Sequence, residues 1–291
     1  MAGIDVNRTT AGVSLPPAVS AEIWQETQNA SAVMQLANPI PLPGGGLQVN
    51  VITGDPVAEW VAETAAKPVD RPTMGTKLMR GYTLAVIVPF SNQFRRDLPA
   101  LYNALVGRLP GALGRAFDAT VFTGTAPGAD FDVLSAATAV GIGGNTYAGL
   151  IAADAAVAAG GGMITGWALA PQARGLLLGA VDGNDRPLFI NNIQTDGAVP
   201  ALLGARTSQT TAVYEAGTPN QIGFAGDWSF ANYGIVENIQ ISVSDQATLD
   251  DGGTALHLWQ RNMFAVRCEM EVGFRVRSDD AFVRLTDAAA A

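Results

Sequence analysis

Residues 261–276, "RNMFAVRCEMEVGFRV", decide the fold. Phe264, Val266, Cys268, Met270, Val272, Phe274 and Val276 share one parity, while Arg267, Glu269, Glu271, Arg275 and Arg277 share the other. A period of two is the signature of a strand with one buried face. The run is long for a strand, which usually spans three to ten residues. Two polar residues on it carry chemistry of their own. Asn262 stands near its start on the apolar parity, and Glu269 follows seven residues later on the polar parity.

The rest of the chain bounds the class of protein. There are 291 residues, enough for one large domain or two ordinary ones. Hydrophobic residues make up 48%, charged residues only 15%, so a core is easily filled and part of the surface is suited to contact with partner subunits. The net charge of -9 argues against a nucleic-acid reader, which needs a basic patch, but not against a wall that encloses nucleic acid without gripping it. Cys268 is the only cysteine, so no internal disulfide and no cysteine metal cluster can form. Its place on the apolar parity makes it a small buried hydrophobe. His257 is the only histidine and has no nucleophile elbow near it; it reads as a loop or strand-edge residue. The N-terminus lacks the pattern of a signal peptide. Residues 149–170 are apolar, but Asp154 and a triple glycine make them a helix followed by a loop, not a membrane span.

Working outward, residues 1–45 read as an arm, with a helix over about 18–37 ended by "NPIPLPGGG". Residues 47–53 and 82–90 alternate like strands, and the long polar insert between them predicts an extended hairpin. Both lysines, Lys67 and Lys77, lie in that insert. Residues 91–122 change period, with Phe94, Leu98, Leu101, Tyr102, Leu105, Leu109, Leu113, Phe117 and Val121 repeating at three and four. This predicts a long amphipathic helix, capped by Ser91 and kinked or split at Pro110. Residues 145–245 read as an α/β unit: a helix near 147–159, a strand at "GWALAP", a helix opening on Pro171, a strand or loop edge at "RPLFI", and further strands in "GFAGDWSFANYGIVENIQISVSDQA". "DAFVRLTD" is a last short strand.

Few motifs carry chemistry. "GIGGN" (141–145) and "AGGGM" (159–163) lack phosphate-loop spacing and read as flexible turns. Asp250 and Asp251 lack a calcium-loop pattern and read as a solvated turn. Trp60 is expected to pack at the base of the hairpin. No metal or cofactor constellation is present.

The order of arm, projecting hairpin, long helix, α/β unit and long return strand resembles the major capsid proteins of tailed phages with the HK97 fold. "AEWVAETAAKPVDRP" resembles the family's extended loop, and "VPFSNQFRRDLPALYNALVGRLPGALGRAFDATVFTGT" its spine helix. "ALAPQARGLLLGAVDGNDRPLF" and "GDWSFANYGIVENIQISVSDQ" resemble its axial domain, and "RNMFAVRCEMEVGFRVRSDDAFVRLT" its C-terminal peripheral strand. The resemblance implies an α+β fold with an N-terminal arm (1–45), an extended loop (46–90), a peripheral domain with the spine helix (91–144), an axial domain (145–250) and peripheral return strands (251–291).

It also implies a function. Copies of the chain would form hexamers and pentamers of an icosahedral shell around double-stranded DNA, assembled in the host cytoplasm, with a portal, a separate scaffolding protein and a decoration protein as partners and no membrane. An encapsulin-type nanocompartment shares the fold, and a soluble α/β enzyme is the alternative of another class. The chain would be no enzyme in the usual sense and would need no cofactor or metal. In some members a loop lysine bonds to an asparagine of a neighbour with help from a glutamate. Lys67, before Pro68, matches the loop position, and Asn262 and Glu269 match the strand positions. Seven strand residues separate the latter two by about 24 Å, so the three groups are expected to meet only between subunits.

Overall fold

The computed structural model describes residues 31–54, 57–63, 66–71, 73–97, 106–181, 186, 188 and 201–289. The long strand forms as read from the sequence: β13 spans Met263–Val276, and every residue of its apolar parity from Phe264 to Val276 is buried. It lies inside a four-stranded sheet of order β1-β10-β13-β4, where β1 is Asn38–Pro41, β10 is Ala231–Ser244 and β4 is Tyr82–Ser91. β13 runs antiparallel to both neighbours, and β1 runs parallel to β10 over four residues only. Beyond Ile235, β10 is therefore hydrogen-bonded through β13 alone among these strands.

A second sheet has six strands in the order β5-β14-β9-β6-β8-β7: Thr138–Gly143, Phe282–Ala289, Gln221–Gly226, Gly166–Leu169, Ala205–Gln209 and Ala201–Leu202. Sequence order does not map onto sheet membership. β10 follows β9 in the chain but joins the four-stranded sheet, and the last strand, β14, enters the middle of the six-stranded one. "GIGGN" is not a loose turn. Gly141 and Gly143 lie in β5, so close to β14 that a Cβ on Gly143 would stand 2.1 Å from Asp287 O; Asn145 then caps the next helix.

The spine helix fills the crease between the sheets. Its described parts are α2, Asn92–Asp97, residues 106–107, and α3, Leu109–Phe122, while Leu98, Leu101 and Leu105 lie outside the described residues. Pro110 sits in the first turn of α3, where its missing N–H costs nothing, and Arg108 just before it is a turn. One unbroken helix over 91–122 is thereby excluded, and Pro110 marks the break. Leu113, Phe117 and Val121 of α3 are buried against the apolar face of β13. Phe117 meets Phe131 and Phe274 edge-on, each with ring centres 6.3 Å apart, an arrangement that matches the quadrupoles of the rings. On the far side of α3, Phe122 stacks on Phe224 of β9 at 5.2 Å.

The opposite face of the six-stranded sheet is covered by α4, Thr146–Ala159, and α5, Pro171–Leu178. Leu150, Val157, Ala173 and Leu177 pack there on Trp167, Ile222 and Leu285. This sheet is thus closed on both sides, and β6 is buried at every residue. No described helix is long and apolar enough to cross a membrane.

The arm helix read over 18–37 is described only from Ser31; α1 spans Ala32–Leu36, with Val33, Met34 and Leu36 buried. Ile23 and Trp24 lie outside the described residues, as does most of "RPLFI". The hairpin differs from its expectation. β2, Leu47–Gly54, pairs with β3, Thr73–Met79, and not with the strand at 82–90, which is β4 and belongs to the body. β3 carries Gly75 and a weak alternation, so its strand character depends on a partner far away in sequence.

Candidate functional site: the outer sheet face and the projecting loop

α3 covers one face of the four-stranded sheet. On the other, cross-strand neighbours share a face and form rows. Thr83, Glu271 and Glu237 make one row; Ala85, Glu269 and Gln240 the next; Ile87, Arg267 and Ser242 the third. Thr83, Ala85, Ile87 and Arg267 are exposed, and Glu269 and Glu271 are half-buried. Arg267 Nη2 stands 2.8 Å from Glu269 Oε1, and its Nε donates to Ser242 Oγ at 3.2 Å. One oxygen of Glu269 therefore faces a guanidinium whose side chain is 49% exposed. β10 bulges opposite this point, with register shifts on both sides of Glu237. Such bulges re-aim side chains.

Asn262 lies just outside β13. It ends the 3-10 turn Trp259–Arg261 with φ 54° and ψ 48°, a left-handed conformation that asparagine tolerates better than most residues. The alternation starts at Met263, so strand parity assigns Asn262 no face, contrary to the expectation from sequence; the residue is exposed. Asn92, the first residue of α2, holds it twice. The backbone N–H of Asn92 donates to Asn262 O at 3.0 Å, and Asn92 Nδ2 donates to Asn262 Oδ1 at 3.0 Å.

Lys67 belongs to the loop 57–71, whose described residues are all exposed. Trp60, expected to pack at the hairpin base, is instead 105% exposed; Val57 and Val69 are exposed beside it. Asp70 draws the two ends of the loop together, accepting from Val57 N at 2.7 Å and Arg71 N at 2.8 Å. These two backbone bonds, Val57 first, hold its carboxyl below the usual carboxylate range.

The other lysine is already used. Lys77 Nζ donates to Val276 O at 2.8 Å and lies 3.5 Å from Asp132. Arg275 completes this clamp: its Nη1 meets Asp132 Oδ1 at 2.5 Å and its Nε donates to Leu78 O at 2.9 Å. Arg80 stands 3.6 Å from Asp130. Gly273 leaves room for the chain to pass, since a Cβ there would lie 2.4 Å from Arg80 O. The clamp fastens the base of the hairpin to the sheet and leaves Lys67 as the exposed lysine. Within one chain no hydrogen bond or ion pair joins Lys67 to Asn262 or Glu269.

The remaining polar candidates are structural. Cys268 is fully buried, and burial first, with Glu269 nearby second, pushes its thiol up to about 11. His257 ends the strand Thr254–His257 (β12) and its Nδ1 lies 3.0 Å from Thr248 Oγ1 of β11, Thr248–Asp251. Gly252 and Gly253, both at positive φ, turn this small hairpin, with Asp250 Oδ1 accepting from Gly253 N. No group of three or more His, Cys, Asp or Glu suited to a metal occurs among the described residues. Asp118 escaped the sequence reading. It is a buried carboxylate on α3 that accepts from Ser31 Oγ at 2.5 Å, Ala32 N at 2.7 Å and Val33 N at 3.2 Å, capping α1 from outside. Burial pushes its carboxyl up to about 6 against the pull of those bonds. The signal was legible: a lone acid beside the apolar stripe of a helix.

Among the described residues, the core is two-sided, the four-stranded sheet is open on one face, and the hairpin loop carries exposed apolar side chains. The fold is that of HK97-type capsid proteins: a solved structure from Mycobacterium phage Adephagia superposes with a TM-score of 0.74 at 19% identity, over 90% of this chain and 91% of that one. The chain belongs to the phage capsid family, whose model matches residues 11–287. It is 30% identical to the probable major capsid protein gp17 of Mycobacterium phage L5, over 94% of this chain and 89% of that one. To the probable major capsid protein gp17 of Mycobacterium phage D29 it is 29% identical, over 94% and 90%. It is therefore a structural capsid protein, and nothing in these likenesses favours the nanocompartment or the soluble enzyme over the tailed-phage shell.

Proposed function

We propose that this chain is the major subunit of a tailed-phage shell, closing as hexamers and pentamers around double-stranded DNA in the host cytoplasm, and that neighbouring subunits then become joined through Lys67, Asn262 and Glu269. The functional division follows the sheets and not the chain order: the hairpin of β2 and β3 is the extended loop, the four-stranded sheet with the spine helix is the peripheral part, and the six-stranded sheet with α4 and α5 is the axial part. A portal, a separate scaffolding protein and a decoration protein are the expected partners, and the acidic chain suits a wall that does not stick to packaged DNA. The observation that carries the joining reaction is the contrast between the lysines. Lys77 is bound at the hairpin base, while Lys67 is held out on a loop whose described residues are all exposed.

The chemistry balances without a cofactor. A lysine ammonium, with an ordinary pKa near ~10.4, must lose a proton before it can attack. Glu269, released from Arg267, takes that proton. Lys67 Nζ bonds to Cγ of Asn262, the Cγ–Nδ2 bond breaks, Nδ2 leaves as ammonia with the proton returned from Glu269, and Nζ gives up its second proton to Glu269 as the amide forms, from where the departing ammonia carries it away as ammonium. The three groups come from different subunits, so the reaction waits for assembly and each site turns over once. Mature particles boiled in reducing detergent test this. A ladder at multiples of the 30.1 kDa chain, lost in Lys67→Arg, supports the reaction. A single monomer band rejects it and leaves the three residues as interface polar groups.

A further inference from the structure

Resting on that reading, we infer that Asn92 is a catalytic residue of the joining reaction: its side-chain amide is the donor that stabilises the oxyanion formed on Asn262. Attack on an amide puts negative charge on its oxygen, and a donor already in place at that oxygen lowers the barrier because it need not be reoriented. Asn92 Nδ2 stands 3.0 Å from Asn262 Oδ1, within the range required of such a donor. A second bond, from Asn92 N to Asn262 O at 3.0 Å, fixes the same residue pair through the backbone. The left-handed backbone of Asn262 lifts its side chain out of the strand pattern toward α2 and not into a ladder position. That conformation disfavours most residues other than glycine, asparagine and aspartate, and so restricts what can stand there.

A separate observation points to an incoming group. Asn92 Oδ1 is buried and has no hydrogen-bond partner among the described residues. An unpaired buried acceptor is costly and calls for an explanation. To receive an N–H of the attacking Lys67 amine of another subunit, what covers this oxygen must shift on assembly; Asn92 then offers a donor to the electrophile and an acceptor to the nucleophile. On collapse of the intermediate the electron pair returns from Oδ1 to Cγ, Nδ2 departs as ammonia, and Asn92 is unchanged.

The test compares rate with endpoint. Asn92→Asp keeps the size of the side chain and removes the donor; Asn92→Ala removes it without adding charge. Each variant is co-assembled with an excess of wild-type chain, so that shells form, and the joined species of the variant chain are followed by mass spectrometry. The expected result is joining at Asn262 of the variant chain about 100-fold slower, reaching the wild-type final fraction. A wild-type rate in both variants overturns the inference, and so does a lower endpoint reached at the wild-type rate, which marks a merely structural role. Absence of any ladder in wild-type shells removes the joining reaction itself and Asn92's part with it, whereas a wild-type ladder with unslowed variants removes only the latter.

Discussion

The two sheets are made from the same kinds of residue and end in opposite states. The six-stranded sheet lies between α3 and the pair α4 and α5, and its β6 is buried throughout. Among the described residues the four-stranded sheet has α3 on one face, and its other face shows Thr83, Ala85, Ile87, Arg267 and three glutamates, Glu237, Glu269 and Glu271. A hairpin fastened at its base carries an exposed Trp60 beyond it. Burial of an indole is worth several kcal/mol, so leaving one wholly in water makes sense where another surface will cover it. The closed half makes the subunit stable; the open half is where its neighbours belong.

Substitutions should separate the halves, from the largest effect downward. Phe117→Ala empties the crease where Phe131 and Phe274 meet it, and should cost about 3–5 kcal/mol in urea unfolding. A cost under about 1 kcal/mol would mean that the crease is not the core. Asp118 gives a pH test. Its folded carboxyl is raised to about 6 from 3.8, so the folded chain holds the proton better than the unfolded one between those values. Its contribution is therefore greatest below pH 4, falls as pH rises from 4 to 6, and is level above that. The drop is on the order of 3 kcal/mol, and Asp118→Asn should remove it from the stability–pH curve; an unchanged curve contradicts the burial argument.

The hairpin clamp comes next. Asp132→Ala takes the nearer carboxylate from Arg275, whose side chain is only 12% exposed and keeps Leu78 O and, at 3.9 Å, Asp130, and should cost about 2 kcal/mol after allowance for solvent. Hydrogen exchange should then rise along 73–79. An unchanged pattern would show that Met79, which is fully buried, anchors the hairpin without help. Smallest for the free subunit is Trp60→Ala, within about 0.5 kcal/mol, since none of the described residues covers the ring. Shells of that variant should come apart at lower denaturant than wild-type shells; equal resistance would deny Trp60 an interface.

Much of this was legible in the sequence. The period of two in 261–276 gives β13 and its buried face, and Pro110 foretells the break that starts α3. What could not be read is what depends on distant partners. "TMGTKLM" becomes a strand only because Leu47–Gly54 lies beside it. Trp60 in water and Trp60 in a core are the same letter. The glycines of "GIGGN" look like a turn until β14 passes within a backbone's width. Of the proposed site, Lys67, Asn262 and Glu269 were visible through resemblance. Asn92 was not, because its contact spans 170 residues of chain.

The central claim is that the open half is closed by other copies of the chain. Hydrogen exchange of the free subunit and of the assembled shell tests it most directly. The loop 57–71 should exchange freely in the subunit and become protected in the shell, while 263–276 stays protected in both. Equal exchange of the loop in the two states would contradict the account.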